Sequence, residues 1–371
     1  MNKVETAFYA SEIARPPQRQ ISRGARVSEF DGARGLAVLA VVIAHYFGEV
    51  EHGFTTLRIL GPIGVNLFFV LSGFLIGSII LERVDSQNFF RVFYARRALR
   101  ILPVYFLVVA TTLTLIWLLN VPWAASTLPA WSYFTFTQNF FMAVRGDVGT
   151  RWLTPTWTLA VEEQFYLLIP LLIFLLPAKA ILPSIRIGIA LCFLIRVILC
   201  VRGDGISAEC LLFSSGHILL IGVLAAYAQK NIKPREITMR VIALVSVAAL
   251  LLVEANAEMV GEKLFLISAP VFMAALFASC ILLAANRSPG LRFLGARFLT
   301  SFGTISYCLY LIHQPISGLM HGLILGTRPD IATTPQILVT CAAAVVSIST
   351  ATASWFALEK PLLQFGRRKS Y

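Results

Sequence analysis

Charged side chains are scarce in this chain: 13% of its 371 residues are Asp, Glu, Lys or Arg, whereas 57% are hydrophobic. Soluble domains contain about 25% charged residues, and the mean hydropathy of this chain is correspondingly high, at +0.77. This composition excludes an ordinary soluble domain and predicts a protein that crosses a membrane several times. The sequence also lacks an internal repeat and a linker that would separate a second domain.

Acidic residues are especially few, with 19 Asp and Glu against 31 Lys and Arg, which gives a net charge of +12. A basic balance can indicate binding to nucleic acid, but the basic residues here are clustered between apolar runs. Such clusters are typical of cytoplasmic loops, because membrane proteins keep an excess of Lys and Arg on the cytoplasmic side. We therefore expect the lipid bilayer, and no nucleic acid, as a partner.

The first 30 residues lack the apolar core and the cleavage site of a secretory signal peptide. They are polar and basic, and we expect residues 1–30 to form a flexible cytoplasmic segment.

The six cysteines lie in or beside apolar segments without the spacing of a metal site, so we expect no metal. Most of them suit packing within the membrane, but Cys200 and Cys210 flank a short loop and could form a disulfide if that loop is extracytoplasmic.

Apolar runs of about 20 residues, the length that spans a bilayer, occur ten times in the sequence. We predict an all-α, polytopic transmembrane helix bundle with spans near 31–50, 60–81, 100–120, 156–177, 186–201, 208–228, 238–255, 264–285, 298–323 and 335–358. If the N-terminus is cytoplasmic, ten spans place every strongly basic connection and the C-terminus in the cytoplasm as well. The predicted membrane domain covers residues 31–360, and residues 361–371 form a basic cytoplasmic tail.

One apolar segment does not fit this series. Residues 131–144, WSYFTFTQNFFMAV, are rich in aromatic side chains but too few to cross a bilayer. If this segment did cross, every later basic loop would change sides. Because Trp and Tyr favour the membrane interface, we expect a re-entrant or interfacial segment on the outer face.

Arg34 and His45 lie in the first apolar segment, which has little other reason to carry ionisable side chains. Eleven residues separate them, close to three helical turns, so both lie on one side of a helix, roughly 16 Å apart along its axis. An ionisable group costs about 2.5 kcal/mol or more at the bilayer centre, so two on one stripe indicate a shared polar pathway. The alternative is a snorkelling Arg and a hydrogen-bonded interior His.

Two further segments carry ionisable groups near the membrane. Arg96, Arg97 and Arg100 precede the third span, spaced so that at least two guanidinium groups share one helix face. Arg suits bidentate contacts with phosphate, although an anchor on anionic lipid would have the same pattern. In the fourth span Glu162 shares a face with Tyr166. A Glu within the membrane indicates a functional site, whereas a structural Glu would complement the helix dipole.

Other spans add polar groups of less specific character. The second span carries Asn66 and Ser72 among four glycines that permit close helix packing. Trp157 marks the start of the fourth span at the outer interface. Tyr310 and His313 are three residues apart in the ninth span, where a structural role for the His is the main alternative to a catalytic one.

Five segments, in this order, resemble the integral-membrane acyltransferase 3 family. They are FDGARGLAVLAVVIAHY, GVNLFFVLSGFLIG, RRALRILPVY, PTWTLAVEEQFYLLIP and SYCLYLIHQPI. The resemblance implies an inner-membrane O-acyltransferase that moves an acyl group, most commonly acetyl, from cytoplasmic acyl-CoA to a hydroxyl of an extracytoplasmic acceptor. The implied acceptor is surface carbohydrate, such as lipopolysaccharide, exopolysaccharide or a lipid-linked precursor. Asn66 departs from the family pattern, because many relatives carry Asp there.

Acyl transfer from a thioester needs a base for the acceptor hydroxyl, a polar environment for the oxyanion and an anchor for the CoA phosphates. We expect His45, Glu162 and Arg34 to be the catalytic residues, with His45 as the general base and Glu162 orienting or charging it. The expected CoA-binding residues are Arg34, Arg96, Arg97 and Arg100, and the expected substrate or oxyanion environment contains Asn66, Ser72, Trp157, Tyr166, Tyr310 and His313. Direct transfer and a transient acyl-His both fit this hypothesis.

Two other functions fit parts of the pattern. A proton-coupled transporter would use Arg34, His45 and Glu162 as a relay for a polar substrate, without dependence on CoA. An intramembrane serine hydrolase would use Ser72 with His45 or His313, and would leave Arg34 without a role. The sequence leaves the oligomeric state open.

Overall fold

The computed structural model describes residues 27–368, except for the side chains of residues 122 and 257–260. The predicted cytoplasmic segment therefore lies almost wholly outside the described residues, as do positions 369–371 of the basic tail. Within the described range the chain is helical and has no strand. Residues 27–368 thus confirm the all-α class.

The helices have the following bounds: α1 Ser28–Ile43, α2 Leu60–Arg83, α3 Phe89–Leu119, α4 Ala130–Phe134, α5 Gln138–Arg145, α6 Thr156–Leu175, α7 Ala178–Val201, α8 Gly205–Cys210, α9 Leu212–Asn231, α10 Glu236–Ala255, α11 Ala257–Ala285, α12 Arg297–Leu325, α13 Thr334–Ser354 and α14 Lys360–Arg367. Short π-helical turns extend α1 through Ala44–Gly48 and α13 through Trp355–Glu359. Prolines mark several starts: Pro155 and Pro177 immediately precede α6 and α7, and Pro335 lies in the first turn of α13.

Ten helical segments within residues 27–368 are long and apolar enough to span a membrane, which confirms the predicted number. The third begins earlier than the sequence predicted, because α3 starts at Phe89 and not near residue 100. Arginines interrupt the apolar run there, but Phe89 and Phe93 bury one face of the same helix. The basic stretch is therefore part of the spanning helix and presents different arginines to different neighbours.

The aromatic segment at 131–144 forms two short helices, α4 and α5, of five and eight residues. Neither is long enough to cross a bilayer, as predicted. Tyr133, Gln138 and Met142 are fully buried, so the segment packs into the bundle rather than lying loosely over it. The Tyr105 hydroxyl donates to the backbone oxygen of Tyr133 over 2.8 Å and holds this segment against α3.

The centre of the bundle is formed by α1, α2, α9 and α12, which cross at close range. Gly73 of α2 faces α9, where an added Cβ would collide with the backbone oxygen of Leu219. Gly35 of α1 faces α12 in the same way, against the backbone oxygen of Leu299. Small residues therefore set the helix spacing that brings the polar side chains of α1 and α12 together.

Peripheral helices expose apolar side chains, as expected for contact with lipid. α10 is the clearest case, with Val241, Leu244, Val245, Leu251 and Leu252 at least half exposed. All six cysteines carry free thiols, and the pair Cys200 and Cys210, considered above as a disulfide, is buried without one.

The two ends of the bundle differ in charge. The end at which α1 begins, which we call the basic end, carries these basic residues in its loops and helix termini: Arg83, Arg91, Lys230, Lys233, Arg235, Arg287, Arg292, Arg367 and Arg368. Acidic residues also occur at the basic end, among them Glu82, Asp85 and Glu236, but they are fewer. The opposite end carries the loops after α1, α3, α7, α10 and α12, where acidic and basic residues are more evenly mixed. This asymmetry favours a cytoplasmic basic end, and that orientation stays a prediction.

At the opposite end, His52 pairs with Asp330 and joins the loop after α1 to the loop after α12. The Nδ1 of His52 lies 2.6 Å from the Asp330 carboxylate, which also accepts from the His52 backbone N–H. The hydrogen bond and charge of Asp330 raise the pKa of His52. Burial raises the pKa of Asp330, but hydrogen bonds from His52 outweigh it and leave that pKa below its usual value.

These two shifts predict a pH window for the pair. The Asp330 contribution is present above its unfolded pKa of 3.8 and is lost as the pH falls through the folded value. The His52 contribution is complete below its unfolded pKa of 6.5 and is lost as the pH rises through its folded value. We expect Asp330→Asn to lower the thermal unfolding temperature most between about pH 4 and pH 6.5. Thermal unfolding in detergent across this pH range measures the difference, with Glu254→Gln as a control carboxylate, and a constant difference at all pH values would contradict the assignment.

Candidate functional site

Two cavities enter the bundle and share a wall. The first, which we call the arginine cavity, has a volume of about 90 Å³ and is lined by Arg34, Arg97, Arg100, Ser72, Glu162, Tyr166 and Tyr307, among others. The second, which we call the histidine cavity, has a volume of about 260 Å³ and is lined by His45, Glu49, Asn66, Trp157, Arg196 and Glu209, among others. Val65, Phe69 and Tyr310 line both cavities, and we call these three side chains the neck.

The arginine cavity draws one guanidinium group from α1 and two from α3. Arg34 is one-fifth exposed and donates to the carboxylate of Asp31, one turn earlier in α1, over 3.3 Å. The Arg97 guanidinium lies 5.3 Å from the ring centroid of Tyr166, in a cation–π contact. Arg100 completes the cavity's basic wall. Three cations on one wall suit a polyanion such as the phosphates of a nucleotide.

Arg96 was predicted with these residues, but the structure places it on a different face of α3. Its side chain lies toward Gly366 of α14, where an added Cβ would be 3.9 Å from Arg96 Cγ. Adjacent helical residues point about 100° apart, so Arg96 and Arg97 cannot both face one cavity. Of the four arginines predicted to bind CoA, the structure therefore brings Arg34, Arg97 and Arg100 together in the arginine cavity.

The Glu162 side chain lines the arginine cavity and does not lie beside His45. Its carboxylate lies near the hydroxyl groups of Ser72 and Tyr166 and near the Arg97 and Arg100 guanidinium groups. The expected contact between Glu162 and His45 is absent from the interactions of the described residues. The reason is helix geometry: Glu162 lies on α6 and lines the arginine cavity, whereas His45 lines the histidine cavity on the other side of the neck.

His45 instead contacts His313, which is fully buried in α12. His45 Nδ1 and His313 Nε2 are 2.6 Å apart, and His313 Nδ1 lies 3.2 Å from the backbone oxygen of Leu309. That carbonyl only accepts, so His313 Nδ1 carries the proton and, in the neutral ring, His313 Nε2 accepts from His45 Nδ1. His45 Nε2 is then the nitrogen with a free lone pair, and it is the one able to take a proton from a substrate.

Sequence reasoning did not identify the second partner of His45. Glu49 Oε2 lies 3.5 Å from His45 Nε2, where a carboxylate would stabilise a protonated imidazole. Burial raises the pKa of Glu49, while the nearby Arg151 and Arg58 partly oppose that shift. The signal was present in the sequence, since Glu49 is four residues after His45 and so faces the same side of a helix.

The wider part of the histidine cavity contains a second pair that the sequence did not reveal. Arg196 of α7 is 3% exposed and donates from Nε to the Leu266 backbone oxygen and from Nη1 to that of Ala208. Glu209 of α8 lies close enough for its charge to act on Arg196. The two residues lie on consecutive helices, α7 and α8, and the short connection at residues 202–204 brings them together. Two ionisable residues within predicted spans were a signal for a polar site, but not for their pairing.

Tyr310 is the polar member of the neck. Its hydroxyl lies 2.9 Å from Thr158 Oγ1, and Thr158 in turn donates to the backbone oxygen of Pro155 over 2.9 Å. The proton of Thr158 is thereby used, so Tyr310 donates to Thr158. Within the described residues, no group of three or more His, Cys, Asp or Glu side chains could hold a metal ion.

The chain matches the protein family described as "Acyltransferase domain" over residues 27–355. It is also similar to "O-acetyltransferase OatA" of Staphylococcus aureus (strain NCTC 8325 / PS 47), with 28% identity over 314 residues, covering 77% of this chain and 50% of that protein. "Putative peptidoglycan O-acetyltransferase YrhL" of Bacillus subtilis (strain 168) is 32% identical over 177 residues, covering 44% of this chain and 26% of that protein. The matched region thus spans half or less of these curated relatives. No solved structure matches the chain.

The hydrogen bonds of His45 predict which histidines react with diethyl pyrocarbonate, a reagent that acylates the free lone pair of a neutral imidazole. We expect modification of His45 at Nε2, because this atom faces a cavity, and of His52, whose side chain is 59% exposed. His217, His313 and His321 should stay unmodified because they are fully buried. Peptide mapping by mass spectrometry gives the sites, and modification of His313 at the rate of His45 would contradict the assigned geometry.

Proposed function

This chain belongs to the integral-membrane acyltransferase 3 family, and we propose on that premise that it is a membrane O-acetyltransferase. In this proposal, acetyl-CoA is the donor and a hydroxyl group of an extracytoplasmic acceptor receives the acetyl group. The observation that carries the proposal is the pair of cavities that meet at Tyr310, one lined by three arginines and the other by a histidine with a free Nε2. A donor and an acceptor that enter from opposite ends would meet beside His45.

The donor would occupy the arginine cavity. Arg34, Arg97 and Arg100 would bind the phosphate groups of CoA, since guanidinium groups form bidentate contacts with phosphate oxygens. The acyl arm would pass the neck of Val65, Phe69 and Tyr310, whose apolar members suit a thioester more than a charged group. The helical rise puts Arg34 and His45 roughly 16 Å apart along the helix axis. Only an extended acyl arm of CoA could therefore link the two residues.

His45 would act as the general base. Its Nε2 takes the proton of the acceptor hydroxyl, and the acceptor oxygen attacks the carbonyl carbon of the thioester. When the tetrahedral intermediate collapses, the C–S bond breaks and the His45 imidazolium returns the proton to the CoA sulfur. The products are an ester and free CoA thiol. A transient acyl-His45, formed by attack of the same Nε2 on the thioester, is the alternative route.

Two residues would support His45 without touching the donor. His313 fixes the ring orientation and the tautomer through the 2.6 Å hydrogen bond, and Glu49 offsets the positive charge that develops on the ring. This is the role that a third group plays for the base in a catalytic triad. We therefore assign to Glu49 the orienting or charging role first expected of Glu162, and assign Glu162 to the donor side.

The remaining parts of the proposal concern location and acceptor. We place the basic end in the cytoplasm and the protein in the inner membrane, because that orientation agrees with the loop charges. Residues 31–360 would form the acyltransferase domain, between basic segments 1–30 and 361–371. The name of the Bacillus subtilis relative favours peptidoglycan as the acceptor, and other surface polysaccharides, or their lipid-linked precursors, share the required hydroxyl chemistry.

Removal of His45 tests the proposal in cells. We expect His45→Ala to reduce ester-linked acetate in the cell envelope by at least about 10²-fold relative to wild type, the usual loss for a general base. The measurement is made in a deletion strain that carries each variant. Acetate released by mild alkali is determined in separate fractions of peptidoglycan, surface polysaccharide and lipid. His52→Gln is the matched control, because His52 lies outside both cavities and should keep wild-type acetylation.

Equal membrane abundance of the variants must accompany the assay. Wild-type acetate levels in the His45→Ala strain would contradict the role of His45. If deletion of the whole gene changed no envelope ester, acetyl transfer itself would be contradicted, and proton-coupled uptake would become the function to measure. The present contacts speak against that alternative, because Glu162 and His45 do not form a continuous relay among the described residues.

A further inference from the structure

One buried atom in the histidine cavity has no partner. Asn66 is 5% exposed and lines the cavity, and its Nδ2 donates to the backbone oxygen of Pro62 over 2.8 Å. This bond fixes the amide orientation, because a flipped amide would set two oxygens against each other. Asn66 Oδ1 is therefore an acceptor, and it is buried without a hydrogen bond among the described residues. Such an atom is costly unless a ligand satisfies it.

Most of the other free polar groups of this cavity are also acceptors. His45 Nε2 carries a lone pair when the ring is neutral, and the carboxylates of Glu49 and Glu209 accept only. Together with Asn66 Oδ1 they give four acceptor groups around one space. An occupant that satisfies them must bring several donors of its own.

The hydroxyl donors of the lining are already engaged. The hydroxyl of Thr154 donates to the Thr150 backbone oxygen, and that of Ser215 donates to the Glu209 backbone oxygen. Tyr310 donates to Thr158, as derived above. Arg196 directs Nε and Nη1 at two backbone carbonyls, and the charge of Glu209 partly offsets its own.

Two donors of the lining, the Arg196 Nη2 group and the Trp157 indole N–H, make no hydrogen bond among the described residues. They suit the ring and hydroxyl oxygens of a sugar, which accept as well as donate. An anionic occupant would face two carboxylates against the single guanidinium group of Arg196.

We propose that the histidine cavity is a subsite for one neutral, hydroxyl-rich sugar unit, that Asn66 Oδ1 accepts from one of its hydroxyls, and that the subsite rejects sugars bearing a carboxylate. The inference rests on the proposed function, since it names the acceptor class for the same site. The hydroxyl to be acetylated lies at His45 Nε2, and a neighbouring hydroxyl donates to Glu49 or Asn66. Trp157 and Phe69 supply apolar surface for the C–H face of the ring. Asn66 is a specificity residue here and takes no part in the chemical step.

Protection of His45 from diethyl pyrocarbonate tests this subsite without any need for CoA. The probes are two matched pairs, methyl glucoside with methyl glucuronide and methyl galactoside with methyl galacturonide, which differ only in a CH₂OH or carboxylate group. We expect at least one neutral member to slow modification of His45 in the full-length protein in detergent, and neither acidic member to do so. His52 lies outside the cavity and serves as the internal reference in each sample.

A variant at Asn66 tests whether Asn66 Oδ1 is the atom that accepts from the sugar. Asn66→Leu should raise the sugar concentration for half-protection by roughly three- to tenfold, the effect of one lost hydrogen bond. Asn231→Leu is the matched control, because Asn231 also donates to the backbone oxygen four residues earlier but lies exposed at the end of α9.

Equal protection by neutral and acidic sugars, protection by none of the four, or an unchanged value for Asn66→Leu would overturn the inference. These outcomes are separate from those of the acetylation assay. If the protein binds neutral sugars but transfers no acetyl group, the subsite is supported and the proposed function is contradicted. If it transfers acetyl groups but protects His45 equally with neutral and acidic sugars, the proposed function is supported and the subsite is contradicted.

Discussion

The hydrogen bond between His45 Nδ1 and His313 Nε2 connects α1 to α12 where the two cavities meet, and the site depends on it. It forms because α1 and α12 cross closely, with Gly35 of α1 against the backbone of α12. His45 lies in the π-helical turn Ala44–Gly48 that continues α1, and Glu49 follows this turn directly. π-helical turns occur frequently at functional sites. The hydrogen bond with His313 uses Nδ1 of His45 and leaves its Nε2 free.

The close crossing of the central helices also puts the charged groups of the two cavities on opposite sides of the neck. The cations that suit a phosphate donor lie on one side of the neck, and the acceptor-rich lining that suits hydroxyl groups lies on the other. A neck of two apolar side chains and Tyr310 keeps the two environments apart. In the proposed function, a largely apolar neck would also limit the access of water to a thioester, and hydrolysis is the main competing reaction of such a group. The bundle would then combine two binding sites with opposite requirements inside one membrane domain.

The sequence predicted the features that follow from composition and from periodicity within one helix. Ten spans, the non-spanning segment at 131–144 and the placement of Arg34 and His45 in one helical segment, Ser28–Gly48, belong to this group. It did not predict contacts between helices distant in the chain, such as His45 with His313. Two expected groupings also differ from the structure: Arg96 faces α14, because neighbouring helical residues diverge, and Glu162 faces the arginines and not His45.

In the proposed function, donor and acceptor meet at His45 through the neck. A cryo-electron microscopy structure of the protein in lipid nanodiscs with a non-hydrolysable acetyl-CoA analogue would show where the acyl group lies. We expect phosphate groups bound by Arg34, Arg97 and Arg100. We also expect an acyl carbonyl that has passed Tyr310 and lies within reach of an attacking hydroxyl at His45 Nε2, with reacting atoms about 3.5 Å apart. An analogue bound away from these arginines, or an acyl group that stays on the arginine side of the neck, would contradict this proposal.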